Sequence, residues 1–190
     1  MPRPATDKRR RLTAAAAELA YTRGYDATSI GDIAEEAGVA TGRVYYYFKT
    51  QDDVGRAIVD SMLERYRAVL DQWRTVDDPR AQLTAFIDMY LDQAPTVSEH
   101  GCPIGSLCTE LRKHSTELGN EAAEVLRLIL GWATEQFSEI GFAPEAARAR
   151  AIHLVTGMQG AAALAAALSD VEPLEREADH LKRWISSTQP

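Results

Sequence analysis

Apolar side chains return every three to four residues along almost the whole of this 190-residue chain, and no stretch alternates polar with β-branched residues long enough to make a strand. A chain so patterned buries its hydrophobic stripes only by packing helix on helix, so the expected fold is all-α. Hydrophobic residues make up 45% of the chain and charged ones 26%, which supplies a core under a solvated surface and argues against disorder.

The helix boundaries follow from caps and breakers. Leu12, Ala16, Leu19 and Ala20 share one face of a first helix over about residues 6–23, which Gly24 stops. Ser29 and Asp32 form the S-x-x-D pattern that opens a second helix, running to about Glu36 and stopped by Gly38. Thr41 is positioned to cap a third, over 41–48, with Val44 and Phe48 turned inward. Two short helices about a glycine turn make a helix-turn-helix. Thr50 and Asp53 then open a long helix over about 51–74, and Asp78-Pro79 opens a fifth that ends before Pro95. Residues 95–103 read as a loop. Stretches over about 104–113, 117–139, 144–168 and 173–187 bring the expected total to about nine helices.

The formal net charge of −7 is distributed unevenly. Residues 1–49 hold eight Lys or Arg against six Asp or Glu, a net +2, and the remaining 141 residues hold thirteen against twenty-two, a net −9. Within this basic head, the outward side of the third helix offers Arg43, Tyr45, Tyr46 and Lys49, flanked by Thr28 and Thr41. Cations, hydroxyls and helix N-terminal amides suit phosphates, and an arginine on an inserted helix suits base edges in the major groove. Tyr45, Tyr46 and Tyr47 point about 100° apart on a helix, so they cannot all be buried.

The segment from Gly24 and Tyr25 through "ATSIGDIAEEAGVATGRVYYYFKTQDDV" resembles the N-terminal DNA-binding domain of the tetracycline-repressor (TetR) family, with spacing intact over about 45 residues. The resemblance implies a helix-turn-helix DNA-binding domain over 1–49 and a helical ligand-binding and dimerisation domain over 50–190. It implies Thr28, Tyr45 and Tyr47 at phosphates and Thr41, Arg43 and Tyr46 over bases or nearby backbone. Where the family usually has a phosphate-contacting lysine at the start of the fourth helix this chain has Gln51, so either Lys49 substitutes or that contact is weaker.

The body adds "GCPIGSLCTEL", residues 101–111, which resembles a segment of a TetR branch that includes electrophile-responsive repressors. Cys102 then has two readings. Beside a helix N-terminus and His100 it is a candidate redox or electrophile sensor; alternatively Cys102 and Cys108 are small apolar fillers. Tyr66, Trp73, Phe86, Tyr90, Cys102, Leu107, Leu111, Trp132 and His153 are candidate ligand-binding residues in a cavity among the middle helices, although such aromatic stripes also serve as plain core. The alanine- and glycine-rich run 144–168 and the apolar stripe on 173–187 are expected to form the homodimer interface.

Several classes are set aside. No glycine-rich phosphate loop, nucleophile elbow, His-Glu-x-x-His or Cys-x-x-Cys is present, so no enzyme and no cofactor is expected. Cys102, Cys108 and His114 are six apart each time, which scatters them around a helix and argues against a metal site. No 18-residue uncharged leucine-rich run and no leader-like segment occur, so no membrane partner and a cytoplasmic location are expected. The expected function is a ligand-responsive repressor released from a palindromic double-stranded DNA operator by a small-molecule effector. The alternatives are a sensor acting through Cys102, or a helical adaptor that does not bind DNA.

Overall fold

A computed structural model describes residues 4–190, with side chains from Asp7 onward. Ten helices and no strand occur among the described residues: α1 Pro4–Arg23, α2 Ile30–Glu36, α3 Thr41–Tyr47, α4 Gln51–Trp73, α5 Pro79–Leu91, α6 Ala94–His100, α7 Pro103–His114, α8 Thr116–Ile140, α9 Pro144–Leu168 and α10 Glu172–Ser187. The all-α expectation holds. One element differs: residues 94–100 are helical, not a loop, because Pro95 sits in the first turn of α6, where its missing N–H is harmless, and does not act as a breaker. Gly101, at φ 81°, ends that helix.

The described chain packs as two compact units, one of residues up to Arg65 with Ser106–Val125, the other of Tyr66–Gly105 with Leu126–Pro190. Helices α4, α7 and α8 therefore contribute residues to both.

In the first unit, Leu12, Ala16 and Leu19 of α1 bury against Ile33, Val44, Phe48, Val54 and Ile58, together with Leu107, Leu111 and Leu118 from α7 and α8. The helix starts are fixed as the sequence indicates: Ser29 and Asp32 bond reciprocally at the N-terminus of α2, and Thr50 with Asp53 do the same for α4. Thr41 differs from expectation: Ala40 takes the cap position of α3, so Thr41 lies in the first turn with no capping bond to make. The turn between α2 and α3 needs Gly38, at φ 61°, and Arg11 donates to the Ala37 carbonyl at 2.6 Å, placing a cation at the C-terminal end of α2.

The second unit is built from α5, α6, α9 and α10 with the remaining parts of α4, α7 and α8. Asp78 caps α5 through the Arg80 amide, with Pro79 at the first helical position. Arg80 donates to the carbonyls of Ile185 and Thr188, tying the end of α10 to the start of α5. By length and composition α9 could cross a bilayer, yet eight of its residues, Ala147 to Ala165, are buried within this unit, where α9 packs on α6 and α10. Gly157 lets α10 approach: a Cβ there would meet the Glu177 carboxylate at 2.6 Å.

Gly55 in α4 has a close neighbour in the first unit's core. A Cβ there would lie 2.7 Å from the Tyr25 hydroxyl oxygen and 3.3 Å from Leu118. Gly55→Ala is therefore expected to destabilise the protein by about 1–3 kcal/mol through overpacking, outweighing the roughly 1 kcal/mol gained in helix propensity. Urea denaturation reads this, and an unchanged or raised midpoint would show that Tyr25 yields instead.

Candidate nucleic-acid interface

One side of α3 is locked into the first unit and the other is open. Val44 and the following Phe48 are buried, as their spacing predicts, and the Arg9 guanidinium lies 5.8 Å above the Phe48 ring. Thr41, Arg43 and Lys49 are exposed, Tyr45 is 50% exposed and Tyr46 74%, an unusual display of aromatic surface. Tyr47 is half-buried, and its ring meets that of Tyr46 edge to face at 5.1 Å. The tyrosine run thus divides as the helical fan requires, with two rings outward and one wedged between surface and core.

Thr28 is the exception among the expected DNA-facing residues. It is 4% exposed, and its hydroxyl donates to the Gly24 carbonyl at 2.9 Å, an internal bond within the turn between α1 and α2. Gln51, which stands where the family usually carries a phosphate-contacting lysine, turns inward too. Its side-chain amide donates to the carbonyls of Thr28 (2.9 Å) and Tyr25 (3.3 Å), while the Tyr25 hydroxyl donates to the Gln51 carbonyl at 2.6 Å. Gln51 therefore joins the start of α4 to the turn ahead of α2.

A second set of contacts, which sequence reasoning missed, joins α7 to this region. The Tyr25 amide donates to the Glu110 carboxylate at 2.5 Å, and Glu110 is the glutamate of the "GCPIGSLCTEL" segment. His114, the last residue of α7, places Nδ1 2.8 Å from Asp26 and Nε2 3.2 Å from Asp52, with its ring edge-on to Tyr25. Partial burial lowers the His114 pKa, but hydrogen bonds and charge from Asp52 and Asp26 outweigh it, so the net shift is upward from 6.5. The Tyr25 phenol is raised, first by burial and then by Asp52 and Asp26. A lone glutamate in an otherwise uncharged segment was the available signal, since such a carboxylate needs a donor; nothing local marks His114, whose partners lie 62 and 88 residues away.

The candidate ligand-binding residues divide. In the second unit Trp73, Phe86, Tyr90 and Trp132 form one aromatic group, with ring separations of 5.3 Å for Trp73–Trp132 and 5.4 Å for Phe86–Tyr90, and Tyr66 is buried in the same unit. Cys102 joins them: its sulfur lies 3.5 Å from the Tyr90 hydroxyl and 3.3 Å from the Gln159 amide, which also donates to Tyr90 at 3.1 Å. Cys102 is only 5% exposed, which does not suit a thiol meant to meet electrophiles from solvent, and His100 pairs with Glu99. Leu107 and Leu111 belong instead to the core of the first unit. His153 is exposed on α9 and packs its ring against Trp184 at 4.8 Å, outside the aromatic group. No cluster of three potential metal ligands occurs among the described residues.

A family model of bacterial regulatory proteins of the tetR family matches residues 12–58, and a model of the LmrA/YxaF-like transcriptional-regulator C-terminal domain matches residues 79–180. An uncharacterized HTH-type transcriptional regulator in the lacX 3' region of Lactococcus lactis subsp. lactis is 27% identical over 176 residues, covering 90% of each chain. The HTH-type transcriptional repressor KstR2 of Mycolicibacterium smegmatis is 33% identical over 87 residues, 44% of this chain and 41% of that one. A TetR transcriptional regulator from Legionella pneumophila shares the fold at a TM-score of 0.83 and 21% identity, over 96% of this chain and 97% of that one.

The His114 contacts carry a pH dependence whose sign is fixed. A histidine whose pKa is raised on folding adds stability that is fully present below about 6.5 and is lost as pH rises through the folded value. Thermal melts between pH 6 and 8 are expected to show a fall in Tm that His114→Gln flattens; a parallel fall in the variant would remove His114 as its source.

Proposed function

Because the chain belongs to the TetR family of bacterial transcriptional regulators, we propose that it works as a homodimeric repressor, holding a palindromic DNA operator until a small molecule releases it. That family is one of transcription regulators, not of enzymes. The observation that carries the reading is α3: a seven-residue helix with one face pinned by Val44 while Thr41, Arg43, Tyr45 and Tyr46 stand in solvent on a basic segment. In this reading Arg43 reaches base edges, Tyr45, Tyr46 and Lys49 serve the backbone, and Thr41 lies at the helix N-terminus where amides attract phosphate. Thr28 contributes by shaping the turn before α2. Work on an operator places the protein in the cytoplasm.

Pairing is assigned to α9 and α10. Thr156, Gly160, Leu164 and Leu168 recur at four-residue spacing on α9 and are all exposed, so they form one open stripe of small and apolar residues. Beside it runs an open groove of about 550 Å³ that reaches Arg176 and His180 of α10. A two-fold partner seated there would set two copies of α3 in successive major grooves about 34 Å apart, or a multiple of that.

Release is assigned to the aromatic group of Trp73, Phe86, Tyr90 and Trp132, with Tyr66 and Cys102 beside it. Helix α4 runs from the Gln51 contacts of the first unit to Trp73 in the second, so an effector that repacks these rings acts on a helix both units share. Typical coupling is about 1–3 kcal/mol. In this division residues 1–49 serve DNA and 50–190 serve effector and partner. Burial of Cys102 gives no support to a surface thiol sensor, and the family match gives none to an adaptor that ignores DNA.

Electrophoretic shift on the chain's own upstream DNA tests the reading. Affinity is expected to fall steeply with salt, and Arg43→Ala to weaken specific binding by about 1–3 kcal/mol without changing oligomeric state. Equal affinities for wild type and variant would take Arg43 out of the site. In sedimentation, Leu164→Glu is expected to shift dimer to monomer; a dimer of undiminished strength would move the interface elsewhere.

A further inference from the structure

At the carboxyl end of α7, His114 stands between two carboxylates carried by different segments of the first unit. Asp26, in the turn between α1 and α2, lies 2.8 Å from Nδ1, and Asp52, in the first turn of α4, lies 3.2 Å from Nε2. Both are hydrogen-bond distances, and an ionised carboxylate can only accept. A neutral imidazole has one N–H and one lone pair, so it serves one aspartate and turns a lone pair on the other; only the imidazolium, with two N–H donors, closes both bonds. The observed geometry is that of the protonated ring. Asp26 precedes α2 and Asp52 follows α3, so the two bonds of one side chain join the entrance of the helix-turn-helix to its exit.

The neighbouring charges have partners of their own. On α7, Glu110 one turn back accepts from the Tyr25 amide, Arg112 donates to Asn120 at 2.9 Å, and Lys113 is exposed. On α4, Arg56 one turn beyond Asp52 pairs with Glu117 and Glu121 of α8 at 3.4 and 3.3 Å. The Tyr25 ring meets the imidazole edge to face at 5.2 Å, and burial, then Asp52 and Asp26, keep its phenol protonated where histidine titrates. The imidazole thus touches two carboxylates and a neutral ring. Burial opposes its charge, but the bonds and charge of Asp52 and Asp26 outweigh burial and favour the proton.

We propose that His114 makes DNA binding proton-dependent: its imidazolium staples the segment entering α2 to the segment leaving α3 and holds the helix-turn-helix in its binding arrangement, and loss of the proton slackens the staple. This regulation rests on the repressor reading and acts on the same surface. The sign follows from linkage. An arrangement that needs the staple holds the proton more tightly, so DNA binding takes up a proton and affinity falls as pH rises through the folded His114 value, which lies above 6.5.

Fluorescence anisotropy of the full chain on a duplex of its own upstream DNA, at fixed ionic strength between pH 6 and 8, is expected to show affinity falling about three- to tenfold, which corresponds to about half to one pKa unit between free and bound protein. His114→Gln can donate to one carboxylate only, so its affinity at pH 6 should match that of wild type at pH 8 and its profile should be flat. Asp26→Asn tests the bridge itself: the new amide donates to the lone pair of the neutral ring while Nε2–H still serves Asp52, so its ratio of affinities between pH 6 and 8 should also drop to about one. The ratio is the reading, because removing a negative charge raises DNA affinity at every pH. A wild-type ratio of one, or an undiminished ratio in either variant, would overturn the proton coupling and leave the repressor reading standing. Absence of DNA binding at every pH would overturn both. Histidine NMR without DNA gives a separate check: both ring nitrogens of His114 are expected to be protonated at pH 6, and a neutral ring there would overturn the proposal whatever the DNA affinity.

Discussion

The hydroxyl and the amide of Tyr25 are both shielded from water, and each is answered by a group distant in sequence: the carbonyl of Gln51 at the start of α4 and the carboxylate of Glu110 on α7. An amide or phenol buried without such a partner would cost about 1–3 kcal/mol, so Tyr25 cannot take its place until both helices are in theirs. Gln51 returns the bond through its own side chain to the Tyr25 and Thr28 carbonyls, which fixes the turn that leads into α2. From that turn the Ser29–Asp32 box sets the start of α2, Gly38 sets the angle to α3, and burial of Val44 decides which face of α3 meets the solvent. The exposure of Arg43 and Tyr46 is thus the last link of a chain of constraints that begins at one phenol.

Most of the helical outline could be read from local patterns because caps and breakers act within four residues. Ser29 with Asp32, Thr50 with Asp53 and Asp78 with Pro79 all behave as their spacing demands, and α9 begins and ends where its composition indicates. Pro95 misled because proline ends a helix from inside yet suits the first turn of the next, and only the length of the preceding turn distinguishes the two. The open face of α3 was legible too, since three successive tyrosines cannot share one side of a helix.

What the sequence could not show was long-range pairing. Thr28 carries a hydroxyl suited to phosphate, and nothing near it reveals that Gly24 takes that hydroxyl. Leu107 and Leu111 have the spacing of pocket-lining residues, but the compact unit they join is set by packing with α1 and α4, not by their own helix. His153 sits on an alanine-rich helix and reads as interior until Trp184 is found beside it at the surface.

The debt of the first unit to residues 106–125 limits how it could be transplanted. Leu107, Leu111, Leu118 and Ala122 complete the hydrophobic cluster that Leu12 and Phe48 begin, and Glu110 and His114 supply the polar closures. A graft of the amino-terminal segment onto a foreign effector domain would leave apolar surface bare and a carboxylate-seeking amide stranded, unless the host offers its own leucines and glutamate at the same places. Chimeric regulators made from this scaffold would therefore need to exchange a two-piece cassette, carrying the second stretch along with the first.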